Sequence, residues 1–283
     1  MKSKMFFALA VCLLCGGSIL AQQPTSFSEP RVIVKAEIGL MAPVWSPDGS
    51  QIAMTGDNYT GIFVANADGS QFKLVSEATG AGYQMKWSSN NEIISTPWTM
   101  SDNRRLTRIE SVNVKSGSVN QIAPAERSFK RSRVTNSENA LLKIMLDDPI
   151  NATKLISSLN AFEGKMVINP TISPNGNKIA FQIVGKGLMV CDADGSNLKS
   201  LGKYSHASWM PNSDYVMAAR INDNGDVFTK SDIYCIDVNN GYAVNITPGT
   251  DVIPVTLAVS PDGSKVAFDN DTDGAIYVID LKY

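Results

Sequence analysis

The stretch Trp45-Ser46-Pro47-Asp48-Gly49-Ser50-Gln51-Ile52-Ala53 constrains this chain more than any other. It reads as the end of one strand, a tight turn and the start of the next. Proline presets φ for the second position of a type I turn, aspartate suits the position after it, and glycine closes it. The pattern returns as Ile172-Ser173-Pro174-Asn175-Gly176 with Ile179-Ala180, and as Val259-Ser260-Pro261-Asp262-Gly263 with Val266-Ala267. Self-similarity at a fixed period decides architecture before anything else does.

Six positions end an inner strand in step: Trp45, Trp87, Val134, Ile172, Trp209 and Val259, at spacings of 42, 47, 38, 37 and 50 residues. Seven residues after each, an apolar pair opens a second strand. A third strand, such as Ile62-Phe63-Val64 or Ile276 to Ile279, is followed by Asp or Asn, and a Gly-containing turn leads to a short fourth. Four strands per roughly 40 residues is the signature of a propeller blade of the WD-like kind. The third repeat, around 132–164, is degenerate. Its register predicts strands at 140–146 and 153–157, with a short helix near Asp148-Pro149 as the rival. The last repeat stops after its third strand, whereas residues 31–38 (RVIVKAEI) form a surplus strand before the first. Pairing the two would complete the last blade and remove an open edge. The sequence therefore predicts an all-β, six-bladed β-propeller over 31–283, closed by its N-terminal strand. Residues 22–30, polar with two prolines, read as a flexible lead-in.

Residues 1–21 have the three-part form of a secretory signal peptide: Lys2 and Lys4, an apolar run over 5–14, and small residues ending at Ala21. The run is shorter than the roughly 20 residues a membrane span needs. Val11 and Leu14 precede Cys12 and Cys15, where a lipoprotein box wants small residues. Cleavage near Ala21 gives a periplasmic or secreted protein of net charge −4, from −2 for the whole chain. No basic patch dominates, which argues against nucleic acid, and no second long apolar run exists. Cys191 and Cys235 fall one position out of phase in equivalent strands. They would face opposite sides of their sheets, across a gap of about 10 Å. That is wide for a disulfide, so buried free thiols are expected.

At the turn, the second strand and the third strand, the sequence resembles the TolB-type propeller repeat family. That family's motif is Trp-Ser-Pro-Asp-Gly, an Ile-Ala-Phe strand, an Ile-Tyr-Val strand and an Asp-Gly turn. The nearest copies are 45–53 and 259–280, and the resemblance covers about 31–283. It implies a propeller, in a family of periplasmic scaffolds, peptidase propeller domains and some polysaccharide lyases. No room precedes Trp45 for the separate N-terminal α/β domain of TolB, so only the propeller is carried over.

Catalytic motifs are sparse. His206 is the sole histidine, too few for the histidine-rich metal cluster of the family's lyases. No Gly-x-Ser-x-Gly elbow or phosphate loop occurs. The numerous acids leave a carboxylate pair open, and with it a periplasmic polysaccharide hydrolase or lyase acting at the channel mouth. Asp269, Asp271 and Asp273, ahead of Gly274, have the spacing of a calcium loop, but strands rather than helices flank them. No other cofactor is indicated. Long, dissimilar loops (55–61, 76–83, 96–105, 123–130, 222–231, 248–254, 269–274) share the face opposite the Ser-Pro-Asp-Gly turns. Variable loops on a rigid scaffold are where binding usually sits. They carry Tyr59, Tyr83, Trp98, Arg104, Arg105 and Phe228, with His206 near the channel, and aromatics and arginine are favoured contact anchors. Trp98 stands out because it alone among the tryptophans lies off the repeat position. The sequence thus points to a monomeric, non-enzymatic binding or scaffold propeller with a protein or glycan partner of the cell envelope.

Overall fold

The structure, a computed structural model, describes residues 23–127, 129–135 and 137–283. The leader and its cleavage point lie outside the described residues. The repeated turn has a shared chemistry. Asp48 Oδ1 accepts from Ser46 Oγ (2.7 Å), Ser50 N (3.0 Å) and Ser50 Oγ (2.7 Å), and Ser46 Oγ accepts in turn from Gln51 N at 3.0 Å. Asn175 and Asp262 centre equivalent networks. Gly49, at φ +70, takes the left-handed position that completes the turn.

These turns join antiparallel strands into five sheets. Blade I holds Leu40–Trp45, Gln51–Gly56, Ile62–Asn66 and Lys73–Ser76. Blade II holds Lys86–Ser89, Glu92–Ser95, Arg104–Asn113 and Val119–Glu126, with Trp98–Ser101 folded back onto Arg104–Asn113 as a protruding hairpin. Blade III is Val167–Ile172, Lys178–Ile183, Gly187–Asp192 and Lys199–Gly202. Blade IV is Ser205–Trp209, Tyr215–Asp223, Phe228–Asp237 and Ala243–Asn245. Blade V is Pro254–Val259, Lys265–Asn270 and Ala275–Lys282, completed by Arg31–Val34 in the register Arg31 to Val278 and Val32 to Tyr277. The N-terminal clasp is therefore present. It reaches into the lead-in, where Ser26–Phe27 pairs with Leu281 and Lys282.

The expectation of six blades is overturned: the described residues form five. The degenerate third repeat is helical, as α1 (Ser132–Thr135), α2 (Ala140–Asp147), α3 (Ala152–Leu155) and a 3₁₀ turn (Ser157–Phe162). Spacing kept Val134 in step, but local chemistry decides the conformation. Ala140-Leu141-Leu142-Lys143-Ile144-Met145-Leu146 contains one β-branched residue and is otherwise made of strong helix formers. Asn139 caps it, its side chain accepting from Leu142 N at 2.9 Å. Leu142 and Met145, three apart, point together into the core beside Phe181 and Ile183. Asp147 accepts from Ser132 N and Oγ and ties α1 to α2. Lys86 of blade II donates to the Thr135 carbonyl at 3.0 Å, and α2 packs on the inner strand of blade III. The helical segment thus stands as a wedge between blades II and III.

Tryptophan at the repeat position joins neighbouring blades. The indole N–H of Trp45 donates to Ala258 O (3.0 Å), that of Trp87 to Val44 O (3.0 Å) and that of Trp209 to Thr171 O (3.2 Å), each on the inner strand of the preceding blade. Where blade V has Val259 instead, its N–H donates to Ser208 Oγ of blade IV at 3.0 Å. The apolar core lies between the sheets. Cys191 and Cys235 are buried there, unpaired and in different clusters. Among the described residues no helix is long and apolar enough to cross a membrane.

Candidate binding site on the loop face

The inner strands of blades I, III, IV and V slip register about three residues before their repeat position, and in blade II that position, Gln84, lies in the turn just ahead of the strand. Ala42, Gln84, Asn169 and His206 adopt φ of 50–53°, and the strand register slips at this point in blades I, III and IV. The bulges line the central channel, with Thr256 at the same place in blade V. Counting three back from Val134 gives Arg131, and Arg131 also lines the channel. The helical wedge therefore keeps the channel position of a blade without its strands.

Polar residues of the second strands support these bulges. Gln182 accepts from Asn169 Nδ2 and His206 N, both at 3.0 Å. Asp269, 6% exposed, accepts from Thr256 N (2.6 Å) and Thr256 Oγ1 (2.7 Å). Burial pushes its carboxyl up to about 6. Thr96 of blade II accepts from Arg131 Nη1 at 3.4 Å. The channel encloses about 390 Å³, and its lining carries Lys86 and Arg131 but no carboxylate. His206 sits within it. Burial lowers the imidazole pKa, a hydrogen bond to the Val255 carbonyl opposes this, and Nδ1 is buried without a partner.

A second cavity, about 620 Å³, opens beside the channel between blade I, blade II and the wedge. Tyr59 comes from the turn after Gln51–Gly56 and Tyr83 from the link into blade II. Trp98, Arg105 and Thr107 come from the protruding hairpin, and Arg127, Phe129 and Arg131 from the crossing into the wedge. Backbone bonds hold the walls together: Gly82 N donates to Tyr59 O (3.1 Å) and Trp98 N to Thr79 O (3.1 Å). Tyr59 and Tyr83 meet edge to face, with centroids 4.9 Å apart. The Arg131 guanidinium lies 4.1 Å from the Tyr83 centroid and 5.7 Å from that of Phe129, and the Arg105 guanidinium lies 4.7 Å from that of Trp98. Gly80 makes room for Trp98: a Cβ there would stand 2.3 Å from its Cδ1. Burial lowers the Arg131 pKa, the Tyr83 hydroxyl opposes this, and Arg105 adds to the lowering. Burial raises the Tyr59 hydroxyl, with Tyr83 and Asp269 contributing.

Four of the sequence-predicted residues, Tyr59, Tyr83, Trp98 and Arg105, thus line one pocket. Arg104 neighbours it on the hairpin and is exposed. His206 lies in the channel, and Phe228 lies at the base of the long hairpin turn of blade IV, outside the pocket lining. Asp269, Asp271 and Asp273 do not gather: among the described residues no three His, Cys, Asp or Glu form a metal-ligand cluster. Asp273 is instead occupied by Asn270 Nδ2, Ala275 N, Tyr277 Oη and Lys35 Nζ. Arg127, Phe129 and Arg131 are not among the sequence-predicted residues, yet the sequence carries a signal for them. Residues 104–133 hold six of the eight arginines, two lysines and two glutamates, net +6 in a chain of net −2. Arg108 and Arg133 take up those glutamates as ion pairs. Among the described residues Arg104, Arg105, Arg127 and Arg131 have no carboxylate within 4.0 Å.

No protein-family model and no curated protein matches the chain. Solved structures do. The beta-propeller domain of Myceliophteria thermophila Cps50 (Swd1) is 9% identical, with a TM-score of 0.51 over 87% of this chain and 98% of that one. TolB from Acinetobacter baumannii is 12% identical, with a TM-score of 0.37 over 90% of this chain and 57% of TolB. An oligogalacturonate lyase in complex with manganese is 12% identical, with a TM-score of 0.33 over 85% of this chain and 62% of the lyase. This chain thus spans less than two thirds of the TolB and lyase chains. The likeness to the Cps50 domain is one of fold, and the family resemblance of the turn motif goes no further than the β-propeller.

Proposed function

We propose that the protein is an exported, non-enzymatic binding propeller that engages a partner of the cell envelope through the loop-face pocket between blades I and II and the helical wedge. The observation that carries this is the convergence of Tyr59, Tyr83, Trp98, Arg105 and Arg131, from four separate segments, around one open cavity. Loops on a rigid scaffold supply recognition, and aromatic and arginine side chains are the anchors that dominate it. Export rests on the leader over 1–21. The alternative, a polysaccharide hydrolase or lyase, needs an acid pair at the channel mouth, and the channel lining offers none.

The test is capture from envelope extract with the mature protein, a Trp98→Ala/Arg105→Ala variant, and Phe228→Ala as a control on the other long hairpin. A partner identified with wild type and control and lost with the double variant is the expected result. A partner retained by the double variant, or none enriched over unfolded protein, counts against the reading.

A further inference from the structure

The aromatic rings of this pocket carry arginines. One face of Trp98 is covered by the Arg105 guanidinium, and its Cδ1–Nε1 edge abuts Gly80. One face of Tyr83 is covered by the Arg131 guanidinium, and Tyr59 packs edge to face with Tyr83. A guanidinium stacked on a ring is planar and held. Its five N–H donors point outward from the edge, in the fork that matches a carboxylate or phosphate. Arg131 gives one of these to Thr96 Oγ1, and among the described residues no carboxylate forms an ion pair with Arg105 or Arg131. Both guanidinium groups line the same cavity, and the charge of Arg105 disfavours that of Arg131. Arg127 lines the same cavity, Lys86 the adjoining channel, and neither lining includes an acid. An acidic protein has thus gathered on one surface guanidinium groups that lie over aromatic rings and, among the described residues, form no ion pair.

We propose that the pocket is an oxyanion receptor, in which Arg105 and Arg131 take the oxygens of a carboxylate or phosphate group on the ligand while Trp98 and Tyr83 position them. This rests on the loop-face reading above and names the chemistry of its ligand. One face of each ring is committed to a guanidinium, so the proposed site presents charged N–H donors ahead of a bare aromatic platform and selects on charge. The ligand's negative charge relieves the repulsion between the two arginines, and each fork gives charge-assisted, two-point hydrogen bonding.

The indole N–H signals of the ¹⁵N-labelled mature protein test this. Trp45, Trp87 and Trp209 have their N–H groups tied to inter-blade carbonyls, and Trp98→Phe identifies the fourth signal. Inorganic phosphate and citrate are titrated against sodium chloride of matched ionic strength and against maltose. The expected result is a saturable shift of the Trp98 signal with phosphate or citrate, and binding about 10- to 100-fold weaker in Arg105→Ala and Arg131→Ala. Arg105 is exposed on a hairpin, so its variant keeps the test open if Arg131→Ala fails to fold. Phosphate that displaces the captured partner makes the oxyanion a group on that partner. Phosphate that binds without displacing it makes the free anion the ligand. Both outcomes uphold the receptor. No shift beyond the chloride control, a shift with maltose alone, or phosphate affinity unchanged in both arginine variants overturns it. Loss of the anion response while capture still depends on Trp98 and Arg105 overturns the ligand class and leaves the loop-face reading standing.

Discussion

Asp269 makes the stability of this propeller depend on pH in a direction opposite to that of an ordinary paired carboxylate. Its carboxyl is buried behind the channel and accepts from Thr256 N and Oγ1, and among the described residues no cation acts on it. Burial raises it from 3.8 to about 6. A group raised on folding contributes fully below its unfolded pKa, and that contribution is lost as pH rises through the folded one. From these two values the penalty for ionising it in the fold grows by about 2.5 kcal/mol between pH 4 and pH 7. His206 acts in the other direction, because its lowered pKa removes stability as pH falls. The wild-type profile alone is therefore ambiguous, and the difference from Asp269→Asn isolates the carboxyl. Asparagine keeps an oxygen for Thr256 and cannot ionise. Urea unfolding of both proteins at intervals from pH 4 to pH 7 should show the variant gaining on the wild type by about 2.5 kcal/mol across that range. A difference that stays flat with pH refutes the burial of an uncompensated acid at this point.

Three further outcomes follow from the packing. Trp87→Phe removes the indole bond to Val44 O and strands that carbonyl between blades I and II. It should cost about 1–3 kcal/mol in urea unfolding, and an unchanged midpoint would refute the inter-blade joint. Asn139→Ala removes the cap of α2 and the bond to Ala193 O. It should cost about 1–2 kcal/mol, with Asn139→Ser recovering part, as a helix cap but not a strand residue would. Burial pushes the Cys191 and Cys235 thiols up to about 11 and about 12. Both should resist alkylation at pH 8 in the native protein and react in guanidinium, so native modification of either would contradict their place in the core.

The parts of this fold that were legible in the sequence are those whose chemistry is local. Ser46, Asp48 and Ser50 close their turn among themselves, so the turn can be read wherever the three types recur. The surplus strand at Arg31–Val34 was legible as the missing partner of Ala275–Lys282. The wedge was misread because Val134 keeps the spacing of a blade while Ala140–Asp147 has the composition and cap of a helix. Spacing alone favours a blade there, and propensity and capping favour the helix that forms. The pocket was half legible. Tyr59, Tyr83, Trp98 and Arg105 stand out as loop aromatics and arginine. Arg127, Phe129 and Arg131 sit on a crossing that takes its path from the wedge, and only the charge excess of residues 104–133 announced them. His206 is conspicuous in the sequence for its rarity, whereas its place in the fold is that of a backbone bulge shaping the channel.

Amide hydrogen–deuterium exchange of the mature protein, with and without its captured partner, tests the central claim most directly. The account predicts protection confined to the walls of the loop-face pocket: residues 57–59, 79–83, 98–107 and 127–131. Protection of the Ser-Pro-Asp/Asn-Gly turns at 46–50, 173–177 and 260–264, on the opposite face, would contradict it.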